Sequence, residues 1–157
     1  MKRRWKPLSK SSPKGRLIKR CDTLFRQVLK KDRGTCCEIC GKDESVLAFP
    51  LSTFHIISKG ASPRLRYMKE NCLLACWTSG ESRCCHNLFH AGGGHNDWND
   101  NRRKWIVGRI MELKGFKFSD DFQLLKDKLH QIEQYMSAHN LLYLTALEMT
   151  LKEELHV

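Results

Sequence analysis

Residues 37–41 read CEICG, a Cys-x-x-Cys pair followed by a glycine. Two thiolates separated by two residues can both reach one tetrahedral ion when the backbone turns around it. A second pair is needed to complete such a site, and two cysteines further along the chain can supply it. The segment therefore predicts a structural Zn²⁺ site formed by Cys37, Cys40, Cys76 and Cys85.

Each pair has a neighbouring cysteine that could replace one of its members. Cys36 precedes the first pair and Cys84 precedes Cys85, so a set containing either neighbour is also compatible with the sequence. We favour Cys37 and Cys85, because Cys-x-x-Cys is the commoner geometry and Cys85 directly precedes a histidine. Two further cysteines lie in apolar patterns that are typical of buried thiols without a metal, namely Cys21 and Cys72.

The cysteine content also bears on the compartment. The 157 residues contain eight cysteines, and the basic N-terminal segment lacks the apolar stretch of a secretory signal. No run of about 20 apolar residues is present, so no membrane partner is expected. We therefore expect a cytoplasmic protein, in the host cytoplasm if it is phage-encoded, whose reduced thiols bind metal.

The positive charge is concentrated at the N-terminus. The formal net charge is +11, and residues 1–33 hold 13 Lys or Arg against two acidic residues. A basic segment of this kind is typical of proteins that lie along a phosphate backbone, so DNA is the predicted partner. The residues predicted to contact DNA are Lys2, Arg3, Arg4, Lys6, Lys10, Lys14, Arg16, Lys19, Arg20, Arg64 and Arg66.

Apolar periodicity predicts an α+β fold. Residues 1–15 indicate a flexible basic arm, and helical spacing predicts an amphipathic helix over residues 16–31, with one face for the core and a basic face for DNA. VLAFP (46–50) and TFHII (53–57) predict two strands, and NCLLAC (71–76) a strand end or a turn. Further helices are predicted over residues 97–113, with Trp98, Trp105, Ile106, Ile110 and Leu113 buried, over residues 122–136, and from Leu141.

The histidines fall into an ordered set with an asparagine. FHIISKG contains His55, ENCLLAC contains Asn71, and CHNLFH contains His86 and His90. This order, with a zinc knuckle upstream, resembles the HNH endonuclease family, also known as the His-Me finger or ββα-metal family. The basic arm, the helix before CEICG and the segment LRYMKEN are similar to phage NinG-like members, so the resemblance covers roughly residues 7–105.

The resemblance implies a catalytic role for several residues. His55 would be the general base that takes a proton from the attacking water, and Asn71 would orient it. His86 and His90 would hold a catalytic divalent ion, Mg²⁺ or Mn²⁺, separate from the structural Zn²⁺. The implied fold is a small zinc-stapled ββα-metal core with an N-terminal helix and C-terminal helices.

Two features depart from the family pattern. Phe54 stands where the family usually has an Asp or His metal ligand, and the segment between Cys76 and Cys85 is lengthened. An alternative function is therefore a non-catalytic zinc module that binds DNA, and a third is a zinc-bound adaptor for a protein partner. The predicted organisation is an arm over 1–15, a nuclease domain over 16–115 and a helical extension over 116–157, through which a homodimer could form.

Overall fold

A two-stranded antiparallel sheet and five α-helices make up the fold in the residues that the computed structural model describes, which are 12–77, 84–90, 100–117, 121–132 and 141–156. The strands are β1, Ser52–His55, and β2, Cys72–Ala75. The helices are α1, Pro13–Arg33; α2, Cys85–His90; α3, Asp100–Leu113; α4, Phe122–Ile132; and α5, Leu141–Leu155. The predicted α+β class is confirmed.

Helix α1 extends the predicted helix by a few residues at each end. Its first turn is capped by Ser12, whose hydroxyl accepts a hydrogen bond from the Gly15 amide at 3.1 Å. It ends at Gly34, which has a φ of +84° that disfavours any residue with a side chain. The apolar stripe is buried as predicted, with Leu17, Cys21, Phe25, Val28 and Leu29 in the core.

Helix α5 covers this apolar stripe of α1. Leu144 and Leu151 are buried in the same core, and the Cys21 thiol donates to the Leu144 carbonyl at 3.5 Å. At the edge of the contact, Arg20 forms two hydrogen bonds with the Glu148 carboxylate. The segment after residue 116 therefore shares its core with the N-terminal helix, and a homodimer through these helices stays a prediction.

The sheet differs from the predicted pairing. β1 pairs with β2, with Ser52 opposite Ala75 and His55 opposite Cys72. The prediction of a strand at VLAFP is wrong: residues 44–46 form a 3₁₀ turn capped by Asp43, and Val46 is 74% exposed. All four residues of β2 are buried, so the apolar NCLLAC segment is the better partner for β1 because both of its faces contact the core.

The last helices follow their predicted positions with one correction. In α3, Ile106, Ile110 and Met111 are buried, but Trp105 is 45% exposed and Leu113 37% exposed. Trp105 precedes the buried stripe by one residue, which rotates its side chain by about 100° out of the interface. Three parts of these predictions lie outside the described residues. They are Trp98, the predicted start of the first helix at residue 97, and the predicted end of the second helix at residue 136.

The described helices can also be compared with the length of a membrane span. None of them combines the required length and apolar character to cross a bilayer.

Candidate active site and metal centre

Four cysteine sulfur atoms meet beside the sheet. The Sγ atoms of Cys37, Cys40, Cys76 and Cys85 all lie within 4.8 Å of one another, and three of these residues are buried. Four thiolates at the usual Zn–S distance of about 2.3 Å form a tetrahedron whose edges are about 3.8 Å. The Sγ atoms of Cys40 and Cys76 are 3.8 Å apart. These cysteines could hold a structural metal such as zinc, which the donor set and its size both favour.

The backbone around the first cysteine pair is folded into a tight turn. The Cys37 amide donates to the Lys42 carbonyl, and the Gly41 amide donates to the Cys37 carbonyl, both at 2.8 Å. Gly41 has a φ of +75°, which explains the glycine after the Cys-x-x-Cys pair. Hydrogen bonds from the thiols of Cys76 and Cys85 lower the pKa of Cys37, whereas the hydrogen bonds with Cys37 raise the pKa of both of those thiols.

The neighbouring cysteines lie outside the cluster. Cys36 is exposed and its thiol donates to the Asp43 carboxylate at 3.5 Å. The Cys84 sulfur accepts from the Asn87 amide in the first turn of α2. Cys21 and Cys72 are fully buried, and burial raises the pKa of Cys72 to about 12, as expected for a thiol without a metal. The geometry thus selects Cys37 and Cys85 from the two doublets.

The cysteine cluster is joined by hydrogen bonds to strand β2 of the sheet and to α2, which carries His86. The Glu38 amide donates to the Leu74 carbonyl of β2 at 2.9 Å, and the Glu38 carboxylate accepts from the Leu74 amide. On the other side, the His86 amide donates to the Cys76 carbonyl at 3.2 Å. A metal at the four cysteines would therefore fix the position of α2 relative to the sheet.

A cleft of about 220 Å³ lies at this junction. It brings together His55 from β1 and His86 from α2, two of the predicted catalytic residues. Three cationic side chains and one carboxylate also line it, which gives the cleft a positive balance. The remaining lining residues are Asp22, Phe25, Arg26, Ser52, Thr53, Lys59, Arg66 and Trp77.

The His55 imidazole is held by the backbone in one orientation. Its Nε2 lies 2.9 Å from the Arg66 carbonyl oxygen, and since a carbonyl only accepts, Nε2 carries the hydrogen. The lone pair is then on Nδ1. His55 is 6% exposed, and burial lowers its pKa to about 4, so the ring is neutral near pH 7. A neutral ring with a defined lone pair meets the first requirement for a general base.

The His86 imidazole is oriented by a hydroxyl. Its Nδ1 lies 2.6 Å from the Ser52 Oγ, and the Ser52 hydroxyl donates to the Ala75 carbonyl at 3.1 Å. Since the hydroxyl hydrogen is used by Ala75, the Ser52 oxygen accepts from His86, and Nδ1 carries the hydrogen. The lone pair of His86 is therefore on Nε2, the protonation state that a metal ligand requires.

Asn71 is fully buried and ties down the loop that follows β1. Its side-chain oxygen accepts from the Ile57 amide at 2.9 Å, and its side-chain nitrogen donates to the carbonyls of Ile57 and Leu65. These bonds hold the two ends of the loop together, next to His55 on one side and Arg66 on the other. These contacts are with Ile57 and Leu65 rather than with the His55 ring, so the orientation of His55 by Asn71 stays a prediction.

Phe54 fills the space beside His86. It is fully buried, and its ring packs edge-on against His86 at 5.5 Å and against Phe89 at 4.9 Å between ring centroids. The position where the resemblance leads one to expect a metal ligand is therefore part of the core. His90 ends α2, one turn beyond His86, and its side chain lies outside the described residues.

The predicted DNA-contacting residues fall into three groups. Lys2 to Lys10 lie outside the described residues, whereas Lys14, Arg16, Lys19 and Arg64 are on or near the surface. Arg20 and Arg66 instead form ion pairs, with Glu148 and Asp22 respectively. Charge pattern alone could not reveal these pairs, because their partners are 128 and 44 residues away.

Several cleft residues were not singled out by the sequence. Ser52 precedes the FHIISKG segment, Lys59 lies within it but was given no role, and Trp77 follows the third cysteine of the cluster. Thr53 is notable because its hydroxyl is buried and has no hydrogen-bond partner in the described part of the chain. Of these residues, alternation along β1 could have indicated only Thr53, because it places Thr53 on the same side of the strand as His55.

The buried His55 predicts a pH dependence of stability. Because its pKa is about 4 in the folded state and 6.5 in the unfolded state, the unfolded chain binds a proton first as the pH falls. The resulting loss of stability is absent above about pH 6.5 and complete below about pH 4. Between pH 7 and pH 5 it amounts to about 2 kcal/mol.

Urea unfolding of the wild type and of His55→Gln at both pH values measures this effect. Both proteins share any loss of metal at the lower pH, so the difference between them isolates the histidine. We expect the wild type to lose about 2 kcal/mol more than the variant. An equal loss in both would show that His55 is not buried as the neutral ring.

Comparison with known proteins adds no relative to this description: no protein-family model matches the chain, and no significant match is found among curated proteins or solved structures.

Proposed function

We propose that this protein is a metal-dependent endonuclease of the HNH type that hydrolyses DNA phosphodiester bonds, with His55 as the general base. One observation carries the proposal: His55 and His86, on a strand and a helix that follow one another in a ββα order, line the same positively charged cleft. The four-cysteine cluster supports it, because a structural metal there would hold this helix against the strands.

The proposed chemistry needs one proton acceptor at the cleft. The Nδ1 lone pair of His55 takes a proton from a water molecule while the water oxygen forms a bond to phosphorus. The bond between phosphorus and the 3′ oxygen breaks, and the 3′ oxygen is protonated from solvent. The products are a 5′ phosphate and a 3′ hydroxyl, and His55 returns its proton to solvent.

A catalytic ion would bind through His86. The described residues supply one imidazole with its lone pair on Nε2, and the helical register of α2 places residue 90 one turn away from it. Mg²⁺ and Mn²⁺ retain several water ligands and need few protein ligands, so they are compatible with a small ligand set, while an imidazole nitrogen is also a good ligand for Zn²⁺ or Ni²⁺. When bound, the ion stabilises charge on the phosphate and on the leaving oxygen.

The charge and the aromatic rim of the cleft favour a nucleic-acid substrate. Arg26, Lys59 and Arg66 line it against a single carboxylate, that of Asp22. Trp77 lines the same cleft, is 37% exposed and stacks edge-on with Phe49. Proteins that bind single-stranded or opened nucleic acid combine cations that neutralise the phosphates with an accessible aromatic ring on which a base can stack.

A non-catalytic zinc module that binds DNA is the second candidate. It is favoured by Phe54 and Phe89, whose rings contribute apolar surroundings near His86 and which cannot bind a metal. Under this alternative the cleft and the basic segment bind DNA, and the histidines are retained only for packing. Only the endonuclease would cleave DNA, whereas both proteins would bind DNA in a salt-dependent way.

Cleavage of supercoiled plasmid by the purified zinc-loaded protein separates them. Nicked and linear products should form with Mg²⁺ or Mn²⁺ and disappear with EDTA, while a gel-shift assay follows DNA binding over a range of salt concentrations. Salt-dependent binding with no cleavage in Mg²⁺, Mn²⁺ or Ni²⁺ would establish the non-catalytic module. Neither binding nor cleavage would leave the adaptor function, which needs a protein partner.

A further inference from the structure

We infer that Asp22, on the leading helix α1, is a positioning residue that sets the orientation of the His55 imidazole by holding Arg66. The inference rests on the proposed function only in calling His55 the base. Its structural content is that a carboxylate from α1, 33 residues before the histidine in the sequence, controls which imidazole nitrogen carries the hydrogen.

Arg66 links the two residues through two different groups. Its backbone carbonyl accepts the hydrogen bond from the His55 Nε2 at 2.9 Å. Its guanidinium forms a bidentate pair with Asp22, in which Nε is 2.8 Å from Oδ1 and Nη2 is 2.6 Å from Oδ2. A fork of two parallel bonds fixes direction as well as distance, so it restrains the residue whose carbonyl holds the imidazole.

The next residue reinforces the attachment to α1. The Tyr67 hydroxyl donates to the Ile18 carbonyl at 3.3 Å, and its ring packs edge-on against Phe25 at 5.6 Å. Residues 66 and 67 are thereby held along about two turns of α1. The other hydrogen bonds of the Arg66 backbone are longer: its amide donates to the Pro63 carbonyl at 3.3 Å, and the Cys72 thiol of β2 donates to its carbonyl at 3.8 Å.

The pair is sheltered from solvent and lies in the cleft. The side chains of Arg66 and Asp22 are 21% and 34% exposed, and both line the cleft with His55. Removing the carboxylate would leave the guanidinium half-buried without its partner, and it would turn towards solvent or towards a phosphate. The Arg66 peptide would follow, and His55 would lose its fixed acceptor.

Loss of this acceptor has a specific chemical consequence. In water the two neutral tautomers of imidazole both exist, and a fixed carbonyl selects the one with hydrogen on Nε2. Without it, a fraction of the rings carries hydrogen on Nδ1 and has no lone pair there for the attacking water. Misplacement of a supporting group typically costs 10- to 100-fold in activity.

Asp22→Asn tests the inference, because asparagine keeps the shape and removes the charge. Long-range ¹H–¹⁵N NMR spectra of the imidazole rings report the tautomer of His55 whether or not the protein cleaves DNA. We expect the wild type to show hydrogen on Nε2 alone and the variant to show a mixture. In the plasmid assay kcat should fall by about 10- to 100-fold.

Asp32→Asn is the matched control. Asp32 is also on α1 and also pairs with a cation, Lys69 at 2.8 Å, but it does not line the cleft. Arg66→Lys is the second variant: it keeps the charge and the peptide but loses the bidentate fork, and it should reproduce the mixture of tautomers. It decides the question if Asp22→Asn does not fold.

The outcomes separate this inference from the proposed function. If the wild type cleaves no DNA but Asp22→Asn shows the expected mixture of tautomers, the nuclease proposal is overturned and the positioning role is supported. A His55 tautomer that is unchanged in Asp22→Asn and Arg66→Lys would overturn the positioning role, even if cleavage is observed. An equal change in Asp32→Asn would also overturn it, because the effect would then reflect general loosening of α1.

Discussion

Exchanging Cys37 for serine should abolish zinc binding and unfold the region around the sheet, whereas exchanging the adjacent Cys36 should leave both intact. The two residues are neighbours in the sequence, but only Cys37 has its sulfur in the four-cysteine cluster. Structural zinc contributes about 10–16 kcal/mol of folding free energy in small zinc peptides. Losing even a quarter of that, about 3 kcal/mol, is a large part of the stability of an ordinary domain.

Zinc content and thermal unfolding of both variants give the measurement. Elemental analysis should find one zinc per chain in the wild type and in Cys36→Ser, and none in Cys37→Ser. The stability of Cys36→Ser should stay within about 0.5 kcal/mol of the wild type, as for other exposed positions. If zinc is lost from Cys36→Ser and retained in Cys37→Ser, the metal ligand is Cys36 and our assignment of Cys37 is wrong.

Removing the imidazole of His55 should reduce metal-dependent cleavage by about 10²- to 10⁴-fold, the usual contribution of a general base. The loss should appear in kcat, because no contact to the DNA backbone is removed. Binding should be unchanged at each salt concentration. Because the His55 pKa of about 4 keeps the ring neutral, cleavage by the wild type should be independent of its protonation down to about pH 5.

The appropriate comparison for His55→Ala is His130→Ala, a substitution of the same type at an exposed position on α4. Both proteins should be prepared identically and assayed for plasmid nicking, zinc content and DNA affinity. His130→Ala should cleave like the wild type. Cleavage by His55→Ala within threefold of the wild type, with full zinc content, would falsify the assignment of His55 as the base.

Local patterns made much of this architecture predictable. Helical spacing found α1 and α4, because an amphipathic stripe with a period of 3.6 residues has few alternative structures. Cysteine spacing selected the four residues whose sulfur atoms meet, since the reach of a tetrahedral site limits the choice. VLAFP was misread as a strand, because β-branched and aromatic residues favour strands only when a partner is present, and Val46 faces solvent instead.

The sequence indicated which residues form the candidate site better than it indicated the hydrogen bonds that orient them. His55, Asn71 and His86 were found from their order, but the hydrogen bonds that fix each imidazole come from residues with no motif of their own. Ser52 holds His86 across 34 residues, and the Arg66 carbonyl holds His55 across 11. Such pairings are set by the register of the sheet and the packing of α1, which are properties of the folded chain.

The packing of α5 on α1 has a consequence for synthesis on the ribosome. Cys21 and its acceptor at Leu144 are 123 residues apart, so the apolar stripe of α1 emerges long before the helix that covers it. During that interval the cysteine cluster and the sheet, whose residues lie between the two helices, can already assemble with a metal. The final closure joins contacts of high sequence separation and should therefore be the slow step. Until α5 packs on α1, the nascent chain exposes the apolar stripe of α1, which is a suitable binding site for chaperones.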